Sequence, residues 1–320
     1  MPRRSRAGDS RRRGLRAHGV SCHHLRVTAT DTPPCTPATF PVLIEHAAQY
    51  SDLDPSRRIG RDTLVRWFED ARVQLGREAL DADLADRAEG LVRLRVVAVR
   101  VDVLAPLRIA GRYRIGIGVS RIGTSSVSYR YGVFAGDECV ATGATTSVYV
   151  GDDGSAAPLP DELREQLGRH RIAGPESAPP EREPARAREA YPFRLDVRTR
   201  FGDLDTNRHV NNVRLATWYL DGLAELHLDV LGYPVGGPLD GLAPSSLGVQ
   251  YLEEVHYPGI YQLRVAVQDI HDDVVRYVCG LFDGPRCVGM AEAAGSCRAT
   301  AADGTPVDVA SALEPFRLRG

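Results

Sequence analysis

The 320-residue sequence predicts an α+β protein built twice, each copy one long helix packed on an antiparallel sheet. Three observations lead there. Two blocks of the chain repeat each other. Each block holds one stretch with helical spacing of apolar residues. Each then runs through four strand-like segments joined by short, glycine-bearing turns.

The repeat comes first. "YSDLDPSRRIG" (50–60) aligns with "FGDLDTNRHVN" (201–211), placing Asp52 and Asp54 on Asp203 and Asp205. "VDVLAPLRIAGRYRIGI" aligns with "LEEVHYPGIYQLRVAV", with Pro106 on Pro258. "VFAGDECVATG" aligns with "LFDGPRCVGMA", with Phe134 on Phe282 and Cys139 on Cys287. Three anchors in the same order indicate a duplicated domain. The boundaries follow: a disordered basic tail at 1–38, a first domain at 39–151, a linker at 152–190, a second domain at 191–302 and a loose tail at 303–320. The linker is rich in Pro, Gly, Ala and charge, with one short helix expected near Asp161–Leu167.

Within each block a short strand (40–50 and 191–200) precedes the Asp-bearing loop, and a helix follows. The first helix spaces Leu64, Phe68, Ala71 and Leu75 as one face. The second carries Val213, Ala216, Leu220, Leu223 and Ala224, widened by Trp218, Tyr219 and Leu226, so it is apolar over most of its girth and expected to be wrapped by protein. In the first block the strands fall near 91–104, 111–121, 125–136 and 138–150. Tight turns such as "FAGDE" and "FDGPR" make the pairing antiparallel. A helix on a five- to six-stranded antiparallel sheet is then a two-layer α+β unit.

Composition narrows the function. Net charge is -2 and there is no Lys, so all 40 basic residues are Arg; this is no nucleic-acid signature. The six Cys form no C-x-x-C pair, which fits reduced thiols and a cytoplasmic location. No apolar run approaches the ~18 residues of a membrane span, and no apolar region follows the Arg-rich start, which argues against a secretion signal. "CHH" at 22–24 lacks a second ligand pair and "GYPVGGP" at 232–238 follows a helix rather than a strand. Neither a metal nor another cofactor is expected.

"RFGDLDTNRHVNN" (200–212) stands apart. Asp and Asn before a helix are preferred caps, but one helix needs one cap. In an extended loop Asp205, Asn207 and His209 share a side, beside a helix N-terminus with free N–H groups and partial positive charge. The Asp can hold the imidazole, the imidazole can act as base, and the N–H groups can stabilise an oxyanion. That is equipment for acyl transfer or hydrolysis. The first block keeps Asp54 but has Ser56 and Arg58 in place of Asn207 and His209, so one working site per chain is expected.

These residues resemble the hotdog-fold thioesterases, above all the acyl-acyl-carrier-protein thioesterase family, which carries two hotdog domains in one chain. The family's D-x-N-x-H-V-N-N-x-x-Y/W pattern is met by Asp205, Asn207, His209, Val210, Asn211 and Asn212, with its aromatic late, at Trp218. The resemblance implies tandem hotdog domains, each a long central helix wrapped by its sheet, paired within the chain, with further homo-oligomers left open. It implies Asp205, Asn207 and His209 as catalytic, with a Glu on the strand after the helix, carried to Glu254 of "VQYLEEVHYPG"; alternation puts Glu253 on the opposite face. The first block, with "YSDLD" and "RIGTSSVSY", is more similar to the single-domain 4-hydroxybenzoyl-CoA type, whose second Asp of D-x-D is catalytic; this keeps Asp54 as a candidate substrate-binding residue. Plant members have Cys after the Glu where this chain has Val255, which argues against a Cys nucleophile. The implied activity is hydrolysis of a fatty acyl thioester on acyl-carrier protein or CoA. The carbonyl oxygen is expected near the backbone of Val210 and Asn211, with Asp205, His209 or Glu254 as base. The alternatives are a hotdog enoyl hydratase or dehydratase, whose motif adds a Pro and one more residue before the His, and a non-catalytic acyl-thioester-binding protein.

Overall fold

The structure, a computed structural model, describes residues 35–79, 93–174, 187–231, 243–300 and 305–319. Residues 1–34 of the basic tail, with the CHH triplet, and the "GYPVGGP" segment lie outside the described residues, while the end of the tail enters a short 3-10 helix at Pro37–Thr39.

The first half runs β1 (Val42–Ala47), α1 (Arg61–Ala79), β2 (Leu94–Val103), β3 (Arg112–Ile122), β4 (Ser126–Ala135) and β5 (Glu138–Tyr149). After α2 (Asp161–Gly168) the second half repeats the series as β6 (Phe193–Arg198), α3 (Asn212–Leu231), β7 (Ser246–Tyr251), β8 (Ile260–His271), β9 (Val274–Asp283) and β10 (Arg286–Ser296). The ten strands form one antiparallel sheet in the order β1-β3-β4-β5-β2-β7-β10-β9-β8-β6. Two five-stranded halves are therefore fused at the β2–β7 seam, where Arg100 pairs with Gly248 at matching places in the two repeats. The β4–β5 turn needs a left-handed residue and has Gly136 at φ 62°; the β9–β10 turn has Gly284 at φ 59°.

Each helix lies against its own half-sheet, and the two helices pack together. On α1 the predicted face of Leu64, Phe68, Ala71 and Leu75 is wholly buried, with Phe68 stacked on Tyr131 at 4.4 Å between ring centroids. On α3 the buried face is centred on Leu215, Tyr219, Leu223 and Leu226, which leaves Ala224, expected in the stripe, on the solvent side. The matching tryptophans Trp67 and Trp218 are both buried. One apolar core runs through both halves.

Two segments expected to be loose are docked in part. In the linker, α2 sinks Leu163 and Leu167 into the first half, and the Ile172 N–H donates to the Val119 carbonyl at 3.0 Å. In the tail, β11 (Arg298–Thr300) pairs with β12 (Pro306–Asp308), and α4 (Val309–Leu313) buries Val309 and Leu313. Isolated apolar residues in a polar stretch carry little periodicity, yet burying one Val or Leu contributes about 1.5–3 kcal/mol, enough to hold a short helix in place.

Candidate active site

The loop before α3 is a tight turn rather than an extended segment. Asp205 Oδ1 accepts the backbone N–H of Asn207 at 2.8 Å and of His209 at 3.3 Å, and the Asp205 N–H donates to the His209 carbonyl at 2.9 Å. Arg208 sits at φ 64° to close it. The first half builds the same turn: Asp54 Oδ1 accepts the N–H of Ser56 at 2.9 Å and of Arg58 at 3.2 Å, with Arg57 at φ 64°. The Asp is thus required by the turn in both halves, because its carboxylate satisfies amides that the reversal leaves unpaired. The expectation that Asp205 bonds the imidazole of His209 is corrected: its hydrogen bonds go to backbone N–H groups.

The imidazole finds another carboxylate. His209 Nε2 lies 3.0 Å from Glu254 Oε2. Glu254 also touches the guanidinium of Arg95, which reaches across the seam from β2, and lies 3.9 Å from His256 Nε2. The His209 and His256 rings are 5.2 Å apart and nearly perpendicular. The structure brings the predicted His209 and Glu254 together, but Glu254 is in the loop after β7 and not on a strand. The ladder ends there because the N–H groups of Leu252 and Glu253 both donate to the Val288 carbonyl, at 3.1 and 3.0 Å, and the chain departs from the pleat. Glu253 pairs with Arg286 at 2.8 Å.

The expected oxyanion donors are also corrected. The Val210 N–H donates to the Val255 carbonyl and the Asn211 N–H to the Asp203 carbonyl, each at 2.8 Å, so neither is free. Asn211 is the helix cap: its Oδ1 accepts the Val213 N–H at 2.7 Å. Its Nδ2 then points at the first half and donates to Glu69 Oε1 at 3.3 Å. Among the described residues nothing accepts from the Asn212 N–H or bonds the Asn207 side-chain amide.

Both halves line one cavity of about 490 Å³. The second half contributes Asp205, Asn207, His209 and Glu254; the first contributes Glu69 and Arg72 from α1, with Arg95 from β2. Burial, then the charges of Arg95 and His256, hold the His209 imidazole below its usual range against the opposing pull of Asp205. Burial raises the Glu69 carboxyl, with Arg72 opposing it. His209, Glu254 and His256 bring ligand atoms within 4.8 Å of one another, a spacing a divalent cation could span, but Arg95 already sits against the carboxylate.

Asp54 is absent from this cavity. Its Oδ2 lies 3.8 Å from Arg61 Nη1, and Arg61 Nε donates to the Pro244 carbonyl at 2.6 Å. The loop contacts also change one repeat assignment. Ile59 N–H bonds Leu107 as Val210 bonds Val255, and Tyr113 OH accepts the Arg108 N–H as Tyr261 OH accepts that of His256. Pro106 is therefore the counterpart of Glu254, not of Pro258, because β2 and β7, β3 and β8 and the equal connections between them (104–111 and 252–259) match at one offset. Sequence reasoning missed Arg95, Glu69, Arg72 and His256. The first three enter only through the pairing of the two halves, which no local pattern encodes. His256 was legible as a His two residues after the Glu.

A helix wrapped by a five-stranded antiparallel sheet, twice over, is the tandem hotdog arrangement. Residues 49–167 match the thioesterase-like superfamily and residues 186–270 the acyl-ACP thioesterase C-terminal domain. By these two matches the chain is a thioester hydrolase of the hotdog fold. Comparison with curated proteins returns no match. Among solved structures it is similar to the 12:0-ACP thioesterase from Umbellularia californica (TM-score 0.64, 16% identity, 79% of this chain and 95% of that one). It is also similar to an acyl-ACP thioesterase from Bacteroides thetaiotaomicron (TM-score 0.55, 12% identity, 80% of this chain and 97% of that one). At such identities these likenesses bear on the fold alone. No helix among the described residues is long and apolar enough to cross a membrane.

Proposed function

We propose that this enzyme hydrolyses fatty acyl thioesters to free acid and thiol at one site per chain, with acyl-carrier protein as the favoured carrier and CoA as the other. The observation that carries the site assignment is the His209–Glu254 pair, 3.0 Å apart on the wall of the shared cavity. The Glu254 carboxylate accepts the Nε2–H and fixes the tautomer, leaving Nδ1 as the basic nitrogen. An imidazole held below its usual range is neutral, and so basic, at physiological pH. It takes a proton from water as the water oxygen bonds to the thioester carbonyl carbon. The Asn207 amide and the Asn212 N–H at the head of α3 hold the oxyanion. Collapse of the intermediate breaks the C–S bond. Asp205 shapes the turn that presents Asn207 and His209. Acyl-carrier protein is favoured because the second half, which carries the motif, matches the model of acyl-ACP thioesterases.

The test is thiol release from acyl-carrier-protein and CoA thioesters over a range of acyl lengths. Turnover that vanishes in His209→Ala, and is faster on the carrier protein, supports the proposal. Binding of acyl thioester without release of thiol would sink it.

A further inference from the structure

The first half, though it lacks the motif, supplies charged side chains to the working site and not to its own. The helices align residue for residue, with Leu64 on Leu215 and Trp67 on Trp218. In that frame Glu69 stands where α3 has Leu220, and Arg72 where α3 has Leu223. The polar pair occurs only on the helix that faces Asn207 and His209, so the hotdog fold itself does not need it. Glu69 lines the cavity and accepts the cap amide of Asn211 on Oε1 at 3.3 Å; its Oε2 lies 3.9 Å from Arg72. Asn211 in turn replaces Gly60 of the first half, so the contact has no counterpart across the seam.

We propose that Glu69, contributed by the first half, is a catalytic residue of the second half's site: the general acid that protonates the departing thiolate. The proposal rests on the thioesterase reading above. Its Oε1 is held by Asn211, which leaves Oε2 to carry the proton. The environment agrees, since burial favours the neutral forms of both groups, a basic imidazole at His209 and an acidic carboxyl at Glu69. Asp70 and Arg72 on α1, Asp205 on the turn, Tyr131 on β4 and Tyr251 on β7 are the charged or titratable groups around it. The step balances. Water gives one proton to His209 as its oxygen bonds to carbon. When the C–S bond breaks, its electron pair goes to sulfur and the Glu69 proton follows. Glu69 is recharged by the proton held on His209, passed through solvent.

Leaving-group chemistry tests this. Glu69→Gln keeps the volume and the acceptor for Asn211 but has no acidic proton. On a fatty acyl-CoA, whose alkyl thiolate is a poor leaving group, kcat/KM should fall about 100-fold. On the nitrothiophenol ester of the same acid, whose thiolate leaves unaided, it should change less than about 3-fold, the size of effect left when the acid step is not needed. Equal losses on both esters, or none on either, overturn the proposal. Should the variant not fold, the wild-type enzyme decides over a series of thiols: a rate nearly independent of thiol acidity supports the acid, and a steep dependence overturns it. Thiol release by the wild type that Glu69→Gln leaves intact overturns this inference alone. A wild type inert on both esters and on acyl-carrier-protein thioesters overturns the thioesterase reading as well.

Discussion

The turn at Asp54 and the turn at Asp205 share one backbone, down to a left-handed Arg at φ 64° in each. They differ in what that backbone presents. After Asp205 come Asn207, His209 and Asn212, faced by Glu254, and a cavity of about 490 Å³ opens across the seam. After Asp54 come Ser56, Arg58 and Arg61, faced by Pro106, and the space left is about 120 Å³, lined by the first half alone. Arg61 fills the position of Asn212 and ties the head of α1 to Asp54 and to the Pro244 carbonyl. A bound arginine head stands where the second half leaves a cavity at the helix N-terminus. The comparison separates the requirements of the fold, one Asp per turn, from those of the chemistry.

The difference can be broken from either side. Removing the base has the largest expected effect: His209→Ala should lower kcat about 1,000-fold, whereas the mirrored Arg58→Ala should change it less than about 2-fold, since that side chain is remote from the reacting groups. In the wild type the acid limb of kcat/KM should lie below the ordinary His range, because burial and the charges of Arg95 and His256 disfavour the imidazolium. His256→Ala should move that limb upward.

A second asymmetry concerns stability. His227 on α3, whose counterpart on α1 is Gly76, is buried, bonded to Tyr277 OH at 2.8 Å, and pushed down to about 4 by burial. The unfolded state then binds a proton that the folded state does not, so this contribution is complete above the unfolded value and is lost as pH falls from about 6.5 toward 4. Denaturant titrations of the wild type should lose up to about 3 kcal/mol over that window, and His227→Asn should flatten the loss.

Smaller effects sharpen the picture. Arg95→Met removes the cation the first half lends to Glu254, and about a 10-fold fall in kcat/KM is expected, the weight of one charge-assisted contact. Asp54→Ala should cost about 1 kcal/mol of stability, the value of a lost cap, with kcat unchanged. A comparable loss of kcat in Asp54→Ala would mean that the first turn also touches substrate.

Much of this was legible along the chain. The duplication, the paired Asp positions and the apolar face of α1 follow from residue order, and His209 and Glu254 were both identified and do meet. The partner of each group was not legible. Asp205 is matched to the imidazole because an extended loop puts both on one side, but a short carboxylate at the start of a reversal bonds the nearest amides first. Val210 and Asn211 looked like free donors because the loops that satisfy them, at 255 and 203, were not known to lie alongside.

By itself, then, the sequence determined the repeated helix-and-sheet unit, since alternation, helical spacing and turn residues act over a few positions, and it determined which half carries Asn207, His209 and Glu254. Only the tertiary structure decided that side chains of the first half line the cavity beside His209 and Glu254. Arg95, Glu69 and Arg72 arrive there because β2 pairs with β7 in one register and α1 packs beside α3. That register is set by contacts between residues some 150 positions apart, where side-chain shape and burial across the seam, rather than any local pattern, choose the neighbour.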